Sequence, residues 1–114
     1  MTEAATQGHA LTPAVFHVLL ALADGPLHGY AVMKRVEAQS GVAMGPGTVY
    51  GSLQRLEEAG WVEVSSADGD TRRTRRFTLT GDGREALHAE AARMSRLAHL
   101  VEGKELVPGP ASGG

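Results

Sequence analysis

Arg72, Arg73, Arg75 and Arg76 place four guanidinium groups within five positions, preceded by Asp68 and Asp70. Each guanidinium is a planar fork of N–H donors that matches phosphate oxygens, so such a run is suited to gripping a phosphate backbone. A solvated charged loop is the plain alternative. A second set lies upstream, where helical spacing puts Gly47, Thr48, Gly51, Gln54 and Arg55 broadly on one face with Tyr50 nearby. Gly47 and Gly51 would let a helix approach a duplex closely, Thr48 and Tyr50 can donate to phosphate, and Gln54 can bond a base edge such as adenine. The plainer roles are loop entry and helix crossing for the glycines, core packing beside Val49 and Leu53 for Tyr50, and a salt bridge to Glu58 or Glu37 for Arg55. Lys34 and Arg35 can hold the backbone across a groove or simply face water.

Other chemistry is sparse. His9, His17, His28, His88 and His99 are scattered, and none forms a His-x-x-x-His or His-Glu-x-x-His pair, so no metal site is expected. The absence of Cys removes disulfides, thiolate ligands and thiol nucleophiles, and it suits a reducing compartment. Ser52 and Ser65 lack a Gly-x-Ser-x-Gly setting, and Gly45-Pro46-Gly47-Thr48 lacks the lysine and spacing of a phosphate loop. We therefore expect neither an enzyme nor a cofactor. The strongly apolar stretch Pro13 to Ala23 is interrupted by His17 and falls far short of the roughly 20 residues that span a bilayer. The first ten residues have no basic start and no apolar region, so a cytoplasmic protein without a signal peptide is expected.

The elements that must position these residues follow from periodicity and punctuation. The chain has 114 residues, 42% hydrophobic and 21% charged, with a net charge of -2, the profile of one small folded domain. At that size roughly 65% of the unfolded surface is buried, so pairing with a second copy is an available source of stability. Thr12 and Pro13 open a helix reaching about Ala23, whose apolar residues form two stripes. Asp24, Gly25 and Pro26 break it, and a second helix from about His28 to Ser40 gathers Gly29, Val32, Met33 and Val36 on one face. A third begins at Gly45-Pro46-Gly47, buries Val49, Ser52, Leu53 and Leu56, and ends near Ala59 with Gly60 as its cap. Trp61 to Ser65 alternates as a half-buried strand, Asp68 to Asp70 turns the chain, and Phe77 and Leu79 point inward from a second strand. Thr80 to Gly83 close this hairpin, and a last helix runs from near Arg84 to Leu106. Leu87, Ala91, Met94, Ala98 and Val101 recur there at steps of four and three, the spacing of a two-helix seam.

The expected fold is mainly α with a small β-hairpin: a winged helix-turn-helix over residues 11–83 and a dimerisation helix over 84–106. A disordered arm at 1–10 and a disordered tail at 107–114 flank them. His28-Gly29-Tyr30, Gly47-Thr48-Val49-Tyr50 and the group Leu53, Arg55, Leu56, Glu57, Gly60 resemble the PadR family of transcriptional regulators. The resemblance continues through Arg75, Arg76, Phe77, Leu79, Thr80 and Gly83, with Phe77 where Tyr is more usual. It implies a homodimer built from the first and last helices, including Phe16 and Leu20, with one half-site of double-stranded promoter DNA per subunit and usually repression. Tyr30 then reads as support for the helix-turn-helix. Relatives often answer to small aromatic or amphipathic effectors, one of them through a tryptophan pair from its last helix. Here the sole Trp is Trp61, beside the wing, so no ligand is assigned, although Met94, Leu97 and Phe16 can line a cavity across the dimer. His17 or His88 can tune that dimer with pH, or be ordinary exposed imidazoles. The competing reading is a winged-helix module for protein–protein interaction without DNA binding.

Overall fold

The first helix, α1, spans Pro13–Ala21 and starts where a side chain can satisfy its loose amides: Thr12 Oγ1 accepts from the Val15 N–H at 3.2 Å, and Pro13 occupies the first turn. This computed structural model describes residues 11–65 and 75–106. Val15, Val18, Leu19 and Ala21 of α1 are buried, because α1 packs against all three other described helices. It ends at Ala21 with Leu22 as its C-cap, two residues short of the expected end.

The second helix, α2, spans Gly29–Ser40 and buries Gly29, Val32 and Val36. His28, expected to open it, belongs instead to a two-residue strand, β1 (Leu27–His28). Two residues carry no alternation, so that strand exists only through its partner. α3 (Pro46–Glu58) turns Val49, Ser52, Leu53 and Leu56 inward. Its end is a Schellman motif: Gly60, at φ 81°, donates to the Glu57 carbonyl at 3.0 Å, and Trp61 donates to the Leu56 carbonyl at 2.9 Å.

β2 (Val62–Ser65) and β3 (Arg76–Leu79) pair antiparallel, with Val62 opposite Leu79 and Ser65 opposite Arg76. On the other edge of β3, Leu27 pairs with Phe77 and His28 with Arg76, giving a three-stranded sheet in the order β1-β3-β2 where a two-stranded hairpin was expected. Phe77 and Leu79 are buried as their alternation predicts, and Trp61 joins the core. The strand connection at 66–74, with Arg72 and Arg73, lies outside the described residues, as do the expected disordered ends.

α4 (Gly81–Glu102) begins earlier than the expected Arg84 and ends before Leu106. Thr80 explains the early start. Its Oγ1 accepts from the Gly83 N–H at 3.0 Å and donates to the Gly60 carbonyl at 2.8 Å, while its N–H donates to the Trp61 carbonyl at 3.0 Å. One residue thus caps α4 and ties it to the α3–β2 corner. Gly83 is buried there, and a Cβ on it would overlap the Trp61 carbonyl oxygen. Leu87, placed by its spacing on the dimer seam, instead sits in the protomer's own core. The first half of α4 is committed to that core, so the exposed stripe begins only at Ala91. No described helix is long and apolar enough to cross a membrane.

Candidate nucleic-acid interface

The outward side of α3 faces β3 across a cavity of about 410 Å³, lined by Gly47, Tyr50, Gly51, Gln54, Glu57 and Arg75 over a floor of Leu53 and Phe77. Strand alternation sets one wall: Arg75, two residues before Phe77, falls on the Phe77 face and lines the cavity, while Arg76 falls on the other face, and both are exposed at the root of the wing. Helical period sets the other: with Val49, Leu53 and Leu56 inward, Thr48, Gln54 and Arg55 are exposed. Tyr50 lines the cavity and is half-buried against the core, the packing that was its plainer role.

A Cβ on Gly47 or Gly51 would meet nothing within 4 Å among the described residues, so neither glycine is required by packing against them. The amino end of α3 is also bare of side-chain capping: Gly45 is its N-cap, Pro46 follows, and the Thr48 and Val49 amides both bond back to the Gly45 carbonyl at 3.1 Å. This end carries the positive pole of the helix dipole and suits an anion. Among the described residues no ion pair joins Arg55 to Glu58 or Glu37. Lys34 is exposed with Nζ 5.9 Å from the Tyr30 ring centre, and Arg35 reaches Asp24 at 3.5 Å. Tyr50 and Gln54 of α3 thus meet Arg75, just ahead of β3, around one cavity; Thr48, Arg55 and Arg76 are exposed but do not line it, and Lys34 lies on the neighbouring α2.

A second surface is apolar. Leu20 of α1 and Met94, Leu97, Leu100 and Val101 of α4 are exposed, from 38% at Leu20 to 55% at Leu100, with Ala91 and Ala98 among them and Phe16 half-buried. Several polar interactions carry no sequence signal. Glu90 is 5% exposed, and Arg93 forks it with bonds of 3.1 and 2.7 Å. The Arg93 fork holds the Glu90 carboxyl below its ordinary range; burial opposes this, and the Arg93 charge and the Leu11 backbone add to it. Gln39 Nε2 donates to the His17 carbonyl at 2.7 Å and lies 3.3 Å from its Nδ1, tying α2 to α1. Glu57, on the cavity wall, stands out in the sequence only as part of a motif.

Comparison with known proteins places this arrangement. The transcriptional regulator PadR-like family matches residues 18–89. The transcriptional regulator Rv3488 of Mycobacterium tuberculosis is 33% identical over 87 residues, covering 76% of this chain and 80% of that protein. An uncharacterized 37.1 kDa protein in transposon TN4556 of Streptomyces fradiae is 51% identical over 84 residues; the match takes in 74% of this chain but 24% of that longer protein. Among solved structures, Bordetella bronchiseptica BpsR, whose DNA binding is regulated by 6-hydroxynicotinic acid, superposes with a TM-score of 0.68. It is 28% identical, over 97% of this chain and 78% of BpsR. The helix order, the small antiparallel sheet and these matches agree on a winged-helix regulator and not an enzyme. The chain belongs to the PadR-like family of transcriptional regulators.

Proposed function

We propose that this protein is a cytoplasmic, homodimeric, sequence-specific repressor that binds a dyad operator in double-stranded DNA. The observation that carries the reading is the outward face of α3: two glycines that pack against no described residue line one cavity with Gln54 and Arg75, open to the approach of a duplex. In this reading α3 lies in the major groove, with Gln54 against a base edge. Thr48, Tyr50, Arg55, Lys34 and the wing arginines Arg72, Arg73, Arg75 and Arg76 hold phosphates. A net charge of -2 is no obstacle, since a small reader needs a local positive footprint that dimerisation doubles. Phe16, Leu20, Ala91, Met94, Ala98 and Val101 supply the dimer face. BpsR supports release by a small hydrophobic or aromatic effector, for which that face, near Phe16, Met94 and Leu97, is the available apolar surface.

The test is binding to promoter-region DNA and to a scrambled duplex of equal length at several salt concentrations. Tight, salt-steep and selective binding is expected. Replacing Arg75 and Arg76 by Ala should weaken binding to both duplexes and shallow the salt slope by about 0.9 for each phosphate no longer neutralised. Failure of the folded dimer on both duplexes at low salt would overturn the reading in favour of a protein partner.

A further inference from the structure

The proposed reading surface contains one feature that opposes DNA. Glu57 lies three residues after Gln54 on α3, is exposed, and lines the same cavity as Arg75. It is the one acid among the described residues lining that cavity, and no described ion pair joins it to Arg75. A backbone phosphate drawn toward Arg75 therefore approaches a carboxylate on the facing helix that forms no ion pair with any described residue. Like charges brought together as water leaves an interface are strongly unfavourable, so Glu57 weakens any docking held by phosphate interactions alone. A carboxylate also has a favourable partner in the major groove, because it accepts from an exocyclic base amino group such as that of cytosine.

We propose that Glu57 is a specificity-determining residue: it penalises docking on arbitrary sequence, and the penalty is offset where the operator offers a base amino group to the cavity. This rests on the DNA-binding reading above. Its position on the α3 wall of the cavity that Gly47 and Gly51 also line separates it from acids elsewhere on the surface.

The experiment compares full-length wild type, Glu57→Gln and Glu102→Gln on the promoter-region duplex and the scrambled duplex across salt. Glu102 stands at the far end of α4, so its variant makes the same change in net charge away from the cavity. Glu57→Gln should bind the scrambled duplex about three- to tenfold more tightly, as expected for removing one charge that faces phosphate. Its gain on the promoter duplex should be smaller, so selectivity falls. Glu57→Asp, which keeps the charge, should stay weak on the scrambled duplex, and thermal melts should show all variants folded, since Glu57 is exposed. Unchanged selectivity, an equal loss on both duplexes or an equal effect from Glu102→Gln would overturn the proposal. Wild type that binds neither duplex would instead sink the DNA-binding reading beneath it.

Discussion

Two glycines show how one residue type serves opposite ends. Gly51 sits inside α3 with open space where a side chain would be, so Gly51→Ala should raise protomer stability by about 0.5–1 kcal/mol through helix propensity. The added methyl should at the same time weaken operator binding; a denaturant midpoint and a duplex titration on one preparation check both signs. Gly83 is also in a helix, yet a Cβ there would overlap the Trp61 carbonyl, so Gly83→Ala should lower stability by about 1–3 kcal/mol. An unchanged midpoint would show that the α4 entrance yields freely. The Leu-Thr-x-x-Gly pattern singles out both Thr80 and Gly83, but not the reason for either. That reason is a backbone oxygen supplied by a different element. Glu57 is hidden in the same way, since the chain places it on a helix flank while only the fold puts Arg75 across from it.

Among elements, the first half of α4 carries a buried charge beside the chain that leads into α1. Glu90 takes the fork of its helix neighbour Arg93, and the Leu11 backbone just ahead of α1 also favours its ionised form. Its pKa is depressed in the folded protein, so the native state holds the ionised form more firmly than the unfolded chain does. The stabilisation is therefore present above the ordinary glutamate pKa of about 4.3 and is lost as pH falls through the lower folded value. Glu90→Gln should destabilise at pH 7, and the gap to wild type should narrow toward pH 3 in urea titrations. A gap independent of pH would assign the role of Glu90 to packing. The helices themselves are legible because caps and period act within a few residues: Thr12, Gly60 and the Val49-Leu53-Leu56 face behave as their positions demand. β1 is not, because its two residues are extended only by pairing with β3, far along the chain.

For the whole molecule, α1 and α4 expose Leu20, Met94, Leu97, Leu100 and Val101, and the proposed dimer would cover them. Met94→Glu should put a charge in that face and yield monomers by light scattering. A variant that stays dimeric would reject α4 as the seam. Leu87 marks where a heptad-like spacing misleads: the same period continues from core into surface, and only packing against the rest of the protomer separates Leu87 from Met94. Composition, local periodicity and capping residues are enough to read four helices and the antiparallel β2–β3 pair, since each depends on interactions between near neighbours. The third strand and the cavity shared by Glu57 and Arg75 arise from packing, because their partners are brought together across the fold by a common core, and the same core buries Glu90 beside its helix neighbour Arg93.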